Sequence, residues 1–124
     1  MSKKVLIVDD EPSIIVAIQF LMEQSGYETI VAFSGEEAIE AVAKHHPDLV
    51  LLDIMLPVVD GFEVCQRVRE NPEWKDIRIV LVTALGSEAN AAKGMALGAD
   101  AYIIKPFANA DLIAKVKELL ACPA

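Results

Sequence analysis

Short apolar runs alternate with longer amphipathic stretches from one end of the chain to the other. The apolar runs, such as LVLL at residues 49–52, have no polar alternation and the length of buried β-strands. The pattern predicts five strands, at Lys4–Val8, Glu28–Phe33, Leu49–Leu52, Ile79–Val82 and Ala101–Ile104.

Each strand is followed by a segment in which apolar residues recur at helical spacing. The first such segment carries Ile14, Ile18 and Met22 on one face. The fourth, residues 89–97, is weak because its four alanines and one glycine leave few large apolar anchors. We expect five helices, of which the fourth packs loosely and shifts easily.

Capping residues mark several helix starts independently of the apolar period. Ser34 is followed three residues later by Glu37, and Asp60 is followed by Glu63 at the same spacing. At this spacing the first side chain accepts from an early helical N–H and the second reaches back. Asn109 is a candidate cap for the last helix.

The alternation of strands and helices determines the fold class. Strands separated by helices pair in parallel through right-handed crossovers, and strands without polar alternation indicate a sheet covered on both faces. The fold class is therefore a doubly wound α/β protein with a five-stranded parallel sheet. Ligands of such sheets bind outside the carboxyl ends of the strands.

Composition and charge narrow the class further. The 124 residues are enough for one domain over 1–124 that buries roughly two-thirds of its unfolded surface. A formal charge of -8 disfavours direct binding to nucleic acid or to anionic membranes. No apolar stretch approaches the ~20 residues of a membrane span, so we expect a cytoplasmic protein. Cys65 and Cys122 are far apart and are expected to be free thiols.

Polar residues follow four of the five predicted strands. An acidic cluster, Asp9-Asp10-Glu11, follows the first strand, and Asp53 follows the third. Thr83 follows the fourth strand and Lys105 the fifth. Taken singly these residues have ordinary explanations, such as a helix cap, a turn or a solvated cation. Their joint position at the carboxyl edge of one sheet favours a functional site.

The charges at this edge indicate phosphoryl chemistry. Clustered carboxylates on neighbouring strands suit Mg²⁺, which takes one or two protein carboxylates, keeps waters and accepts a substrate phosphate. One carboxylate can then attack a phosphoryl group as a nucleophile. Lys105 and Thr83 would neutralise and hydrogen-bond the transferred oxygens.

Four segments resemble motifs of the CheY-like receiver domain of two-component response regulators, in order and in spacing. They are VLIVDDEP, DLVLLDIMLPVVDGFEV, IVLVTA and GADAYIIKPF. The resemblance covers the whole chain. It implies a (βα)5 flavodoxin-like three-layer sandwich with strand order 2-1-3-4-5. It also implies that a histidine kinase or a histidine phosphotransfer protein donates the phosphoryl group, and that the phosphorylated domain controls an unknown downstream protein.

The resemblance also implies residue roles. Asp53 is the phosphoacceptor, and the metal ligands are Asp10 directly, Asp9 mainly through water, Asp53 and the Met55 backbone carbonyl. The residues that bind the phosphoryl oxygens are Thr83 and Lys105, and the Lys105–Pro106 bond is cis. Tyr102 is the aromatic residue whose rotamer changes when Thr83 moves. The chain is then a phosphoacceptor that assists its own phosphorylation rather than an enzyme.

Several positions bear on the turn after Asp53 and on the dephosphorylation rate. Val58 stands where many relatives have glycine, and we expect a different turn there, without loss of activity. Met55 and Leu85, two residues past Asp53 and Thr83, are apolar and cannot orient an attacking water, which predicts slow dephosphorylation.

The same resemblance bears on oligomeric state. Relatives that dimerise through the last helices and strand pair acidic and basic residues across the interface. Ala101 replaces an acid that such relatives often carry, so we expect a monomer or a weak, phosphorylation-dependent dimer. The residues available for such pairs are Lys93, Asp100, Asp111 and Lys115.

Other functions stay open at this point. A phosphohydrolase of the haloacid dehalogenase type also begins with an acidic strand end, but it needs a D-x-D sequence and usually a longer chain with a cap. A flavodoxin-like FMN binder needs a hydroxyl-rich and glycine-rich loop after the first strand, where this chain is acidic. A phosphorylation-independent adaptor of the same fold is expected to lack a key residue, and none is missing. An output domain is not expected within these residues, so the chain acts alone or as part of a longer regulator.

Overall fold

The computed structural model describes residues 3–84 and 86–121. Strands and helices alternate as predicted, with one additional 3₁₀ helix at Pro72–Trp74. No helix within the described ranges is long and apolar enough to cross a membrane. The strands are β1 (Lys4–Val8), β2 (Glu28–Ala32), β3 (Leu49–Leu52), β4 (Arg78–Thr83) and β5 (Ala101–Ile104). The α-helices are α1 (Pro12–Gln24), α2 (Gly35–His45), α3 (Gly61–Glu70), α4 (Glu88–Ala96) and α5 (Asn109–Ala121).

The five strands form one parallel sheet in the order β2-β1-β3-β4-β5, so the predicted strand order is confirmed. The winding reverses between β1 and β3, and the register pairs Val8 with Leu52. The residues that follow this pair, Asp9 and Asp53, therefore leave the sheet side by side. This is the switch point at which doubly wound sheets bind ligands.

Apolar cores cover both faces of the sheet, which explains why the strands lack polar alternation. Alternate residues of each strand point to opposite faces, so Leu6 and Val8 of β1 join one core while Val5 and Ile7 join the other. The first core includes residues of α2 and α3, and the second includes residues of α1 and α5. The predicted three-layer sandwich is confirmed.

Four predicted boundaries, in β2, β4 and α5, were wrong by a residue, each for a local reason. Strand β2 ends before Phe33, whose N–H donates to the Glu37 carboxylate at 3.1 Å as the chain turns into α2. Strand β4 is longer at both ends because Arg78 pairs with Leu49, and Thr83 likewise pairs with the last residue of β5. Asn109 is the first residue of α5 rather than a cap before it.

The predicted caps of α2 and α3 are present. Ser34 accepts from the Glu37 N–H at 3.1 Å, and Asp60 accepts from the Glu63 N–H at 2.9 Å. The Glu63 carboxylate pairs with Arg67 one turn further along the helix. These side chains satisfy amide groups that the first helical turn leaves without a backbone partner.

Cys65, on α3, is a buried free thiol, as predicted, and it faces the α4–β5 connection. Its sulfur donates to the Leu97 carbonyl at 3.6 Å. The pKa of Cys65 is raised to about 11, mainly by burial; the Arg69 guanidinium lowers it and the Asp100 carboxylate raises it by smaller amounts. This thiol is therefore protonated and unreactive at neutral pH. Cys122 lies outside the described residues.

The expectation of a different turn at Val58 was wrong. Val58 has a φ of 65°, in the left-handed region, and the residue is 90% exposed. The loop is held by two tight contacts, from the Leu56 N–H to the Ile54 carbonyl and from the Val59 N–H to the Pro57 carbonyl. The second of these hydrogen bonds closes around Val58, so a β-branched residue occupies a left-handed position that favours glycine.

Replacing Val58 with glycine is expected to stabilise the protein by about 1 kcal/mol. The left-handed conformation costs a non-glycine residue roughly 1–2 kcal/mol, and the greater backbone freedom of unfolded glycine offsets part of the gain. Urea denaturation followed by the fluorescence of the single tryptophan, Trp74, measures the change. Val16→Gly, at an exposed position inside α1, is the matched control and should lose roughly 0.5 kcal/mol. A destabilised Val58→Gly variant would contradict the assignment of strain.

Candidate functional site

The end of β1 holds Asp9 in a buried position. Its N–H donates to the Ala32 carbonyl at 3.2 Å, and its Oδ1 accepts from the Glu11 N–H at 2.9 Å. Glu11 itself occupies the cap position of α1 and makes no side-chain cap hydrogen bond, and Pro12 opens the helix. The carboxylate of Asp9 thus shapes the turn before α1 and is not the helix cap.

The end of β3 holds Asp53 in a similar environment. Its N–H donates to the Val8 carbonyl at 3.0 Å, and its Oδ1 accepts from the Met55 N–H at 3.1 Å. Only 6% of the residue is exposed. The second carboxylate oxygen, Oδ2, points toward Lys105 at 3.3 Å. One oxygen is therefore held by the backbone of the β3–α3 loop while the other faces the cleft.

Gly61, the first residue of α3, supports the Asp53 backbone, and the sequence reasoning missed it. A Cβ at Gly61 would lie 2.3 Å from the Asp53 carbonyl oxygen and 2.6 Å from the Ile54 Cα, and no side chain fits there. The Gly61 N–H donates to the Ile54 carbonyl at 2.9 Å. The signal in the sequence was a glycine directly after the cap residue Asp60, at the point where helix and loop meet.

Asp9, Asp10 and Asp53 bring three carboxylates together. Each offers one oxygen such that the three oxygens lie within 4.8 Å of one another. Asp9 and Asp53 are buried, and Asp10 is exposed. At this separation two carboxylates repel by about 3 kcal/mol at an effective dielectric of ~20. The acidic pocket can hold a metal ion, and its all-oxygen donor set fits a hard divalent cation.

Lys105 supplies the positive charge that faces these carboxylates. Its Nζ donates to the Asp9 Oδ2 at 2.7 Å and to the Asp53 Oδ2 at 3.3 Å. Burial alone lowers the pKa of Lys105, but the bond to Asp9 and the charges of Asp53 and Asp9 outweigh it and raise the pKa. The ammonium group is therefore retained at neutral pH. Among the described residues, no buried side-chain nitrogen or oxygen lacks a hydrogen-bond partner.

Backbone contacts at the end of the sheet place Lys105 beside Thr83. The Lys105 N–H donates to the Thr83 carbonyl at 2.8 Å, and the peptide bond between Lys105 and Pro106 is cis, as the resemblance implied. Thr83 is fully buried at the end of β4. The threonine and the lysine are thus brought to the same rim as the acidic pocket.

Tyr102 lies further from the pocket, on β5. It is half-buried, stands opposite Leu81 of β4, and packs against the core that includes α2 and α3. Burial raises its pKa. A Cβ placed on Gly94 of α4 would be 3.6 Å from the Tyr102 ring, so the ring lies beside α4 and not at the carboxylates.

A cleft of about 260 Å³ opens over the acidic pocket. Met55 lies at its lip and is 55% exposed. Leu85, the second apolar residue on which the expected slow dephosphorylation rests, lies outside the described residues. The residues that line the cleft are Asp10, Glu11, Ile14, Asp53, Met55, Ala84 and Lys105. Ile14 and Ala84 were not predicted to line it, because side-chain direction at the first turn of α1 and after β4 is set by packing.

The fold and this pocket define a class: a doubly wound α/β domain with an acidic, metal-competent site at the switch point of its sheet. The chain belongs to the response regulator receiver domain family, whose family model matches residues 5–117. Receiver domains of response regulators are signalling phosphoacceptors. The prediction of a receiver domain is confirmed.

Individual relatives agree with this assignment. The chain is 43% identical, over 97% of its length, to the alkaline phosphatase synthesis transcriptional regulatory protein PhoP of Bacillus subtilis. A crystal structure of a response regulator from Chloroflexus aurantiacus shares 36% identity and a TM-score of 0.93, covering 98% of this chain and 100% of that one. The BeF3-activated N-terminal receiver domain of RstA from Klebsiella pneumoniae shares 34% identity and a TM-score of 0.90, covering 97% and 100%.

The curated relatives are longer proteins. The match covers 49% of the Bacillus subtilis protein and 48% of a probable transcriptional regulator, ycf27, of Cyanophora paradoxa. The chain thus spans about half the length of the curated relatives that it matches.

Side chains suggested for a dimer interface already have partners within the chain. Asp100 pairs with Arg69 at 2.9 Å, and Lys115 pairs with Glu118 at 2.9 Å. The Lys93 ammonium lies 4.5 Å from the centroid of the Phe62 ring. An intermolecular pair with any of these would have to replace or share an existing contact, and the weak or absent dimer stays a prediction.

Proposed function

We propose that Asp53 is the phosphoacceptor of a two-component phosphorelay. The observation that carries the proposal is the position of its Oδ2, which faces an open cleft beside Asp9 and lies 3.3 Å from the Lys105 ammonium. In the transfer, an Asp53 oxygen attacks the phosphorus of a phosphohistidine. The new O–P bond forms as the P–N bond breaks, and the leaving imidazole nitrogen keeps the electron pair and takes up a proton. The product is an aspartyl phosphate.

The acidic pocket is proposed to bind Mg²⁺. Asp10, Asp53 and the Met55 carbonyl would be direct ligands, and Asp9 would bind mainly through water. The all-oxygen donor set and the exposure of Asp10 support this assignment. Bound Mg²⁺ supplies positive charge that offsets the charge of the phosphoryl oxygens.

Lys105 and Thr83 would position the transferred group. The lysine now binds both Asp9 and Asp53, so its ammonium need only turn toward a phosphoryl oxygen on the same Asp53 carboxylate. The Thr83 hydroxyl would bind a second phosphoryl oxygen. Tyr102, which lies beside α4, would change its rotamer when Thr83 moves. The Lys105 ammonium and the Thr83 hydroxyl would thus act as fixed donors to the negative charge that develops on the phosphoryl oxygens.

The phosphoryl donor is proposed to be a histidine kinase or a histidine phosphotransfer protein, and the output is binding to a downstream protein. Receiver domains of response regulators interact with kinases and effectors of these classes. The net charge of -8 argues against direct contact of this chain with nucleic acid. The cytoplasmic location and the slow dephosphorylation stay predictions.

The alternatives are not favoured. The family match over residues 5–117 and the absence of a D-x-D sequence after β1 argue against a phosphohydrolase of the haloacid dehalogenase type. A phosphorylation-independent adaptor would not need three carboxylates and a lysine gathered at one cleft. The chain is proposed to accept a phosphoryl group and not to turn over a substrate as an enzyme.

Incubation with acetyl phosphate and Mg²⁺, followed by intact mass, tests the proposal. The native chain is expected to gain the mass of one phosphoryl group, and Asp53→Asn to gain none because it lacks the nucleophilic oxygen. Asp111→Asn, at an exposed position in the first turn of α5, is the matched control and should gain the group as the native chain does. Equal uptake by Asp53→Asn, or none by the native chain, would refute the proposal.

A further inference from the structure

Arg69, in the last turn of α3, uses all three nitrogens of its guanidinium group, two of them on the connection between α4 and β5 and one on the backbone just before β4. Its Nε donates to the Gly98 carbonyl at 2.8 Å, its Nη1 to the Ile77 carbonyl at 2.7 Å and its Nη2 to the Asp100 carboxylate at 2.9 Å. The side chain is 20% exposed. Charge-assisted bonds of this kind, made by a planar fork in a half-buried position, fix geometry firmly.

Asp100 extends this contact to the sheet. The same carboxylate oxygen that binds Arg69 also accepts from the Ile79 N–H at 2.8 Å, and the Asp100 N–H donates to the Ile79 carbonyl at 2.8 Å. Arg78 approaches the other oxygen at 3.9 Å. We call these contacts of Arg69 and Asp100 the α3–β5 clamp. The clamp ties the end of α3, the start of β4 and the α4–β5 connection together.

The tertiary contacts of α4 lie close to the clamp. Gly94 is the buried residue of the helix, and a Cβ there would lie 2.4 Å from the Leu81 side chain. Lys93, the residue before Gly94, places its ammonium over the ring of Phe62 in α3. The C-terminal half of α4 thus touches the sheet and α3 directly.

The N-terminal half of α4 is held differently. Glu88, Ala89 and Ala92 are exposed, and the first turn is capped locally, by the Ser87 hydroxyl accepting from the Asn90 N–H at 3.2 Å. This end of the helix is also the one that the chain reaches from Thr83. The helix is therefore anchored at one end and connected to the functional site at the other.

We propose that the α3–β5 clamp is the fixed pivot of α4. When Thr83 moves, the N-terminal half of α4 swings while Gly98 and Asp100 stay in place. This inference rests on the proposed function and makes it more specific, because the sequence predicted only that the whole segment shifts. A clamp with several strong bonds resists displacement, whereas an exposed first turn does not.

Amide hydrogen exchange with and without BeF₃⁻ and Mg²⁺ tests the pivot. In the native chain, exchange is expected to change at residues 86–92 and to stay unchanged at residues 97–100. In Arg69→Met the BeF₃⁻ response should extend through residues 97–100, and exchange there should already be roughly 10-fold faster without BeF₃⁻. The BeF₃⁻ concentration needed for saturation should stay within about 3-fold of native, because the clamp does not touch the acidic pocket.

Two further variants serve as a matched control and as a conservative replacement of Arg69. Arg67→Met removes a neighbouring arginine of α3 that pairs only one turn away with Glu63, and it should behave as the native chain does. Arg69→Lys keeps a cation on a similar stem but cannot bind three acceptors, so its BeF₃⁻ response should also extend through residues 97–100. This variant keeps the pivot testable if Arg69→Met fails to fold.

The outcomes separate the two proposals. A native response as strong at residues 97–100 as at residues 86–92, or a native response pattern in both Arg69 variants, would overturn the pivot and leave the phosphoacceptor proposal intact. No BeF₃⁻ response anywhere in the native chain would overturn both.

Discussion

Lys105→Met is expected to slow phosphoryl uptake from acetyl phosphate by about 100- to 1000-fold, the usual effect of removing one preorganised donor from a site of developing negative charge. The ammonium lies 2.7 Å from Asp9 and 3.3 Å from Asp53, so it is already beside the carboxylate that would carry the phosphoryl group. Methionine keeps an unbranched apolar stem of similar length and removes the charge together with the hydrogen bonds of the ammonium group. The rate, and not the fold, is therefore the quantity that should change.

Metal affinity distinguishes this role from that of a metal-site residue. The Lys105 ammonium and a cation both seek the oxygens of Asp9 and Asp53. Without the ammonium, Mg²⁺ affinity measured by calorimetry should hold or rise, while the uptake rate measured by intact mass against time falls. A parallel loss of metal affinity would contradict the assignment of Lys105 to the transferred group.

The matched control is another lysine with a carboxylate partner. Lys115 of α5 pairs with Glu118 at 2.9 Å on a surface away from the cleft, and its side chain is 40% exposed. Lys115→Met should take up the phosphoryl group at the native rate. Uptake by Lys105→Met at that same rate would contradict the role given to Lys105.

Gly61→Ala is expected to destabilise the protein by about 3 kcal/mol, at the upper end of the usual cost of overpacking. The added methyl group would lie 2.3 Å from the Asp53 carbonyl oxygen and 2.6 Å from the Ile54 Cα. Both atoms are backbone and cannot rotate away as a side chain can. Either α3 or the β3–α3 loop must move, and the Asp53 carboxylate moves with the loop. Phosphoryl uptake should therefore slow in the same variant.

Gly86→Ala makes the same chemical change where there is room for it. A Cβ there would lie 3.6 Å from the nearest Ile104 atom, which is ordinary contact. This variant is expected to be as stable as the native chain or more stable by about 0.5 kcal/mol, because alanine restricts the unfolded chain. Urea denaturation of both variants gives the comparison, and equal stabilities would show that the β3–α3 loop adapts to the methyl group.

Most of the fold could be read from the sequence because its signals are local and repeated. Apolar runs without alternation require a sheet covered on both faces, and helices between them require parallel pairing. The site could be anticipated for the same reason. Residues such as Asp9, Asp53 and Lys105 directly follow strands, and parallel strands bring their carboxyl ends to one edge.

Features that depend on contacts between chain segments could not be predicted from the sequence pattern. The positive φ of Val58 follows from the closure of the loop between β3 and α3 and not from its own residue type. The role of Gly61 depends on how closely α3 approaches the loop. Arg69 lies on α3, but its partners Gly98 and Asp100 lie about thirty residues further along the chain.

The sequence by itself determined the five βα units, the parallel sheet and the edge at which its carboxylates gather, because strand length, apolar pattern and strand-end chemistry are local properties. Only the tertiary structure decided how those charges are paired and how α4 is anchored. Lys105 binds Asp9 more closely than Asp53, and α4 is fastened at its C-terminal end by the clamp. Such contacts depend on distances of a few tenths of an ångström between elements far apart in the chain, which pattern alone does not specify.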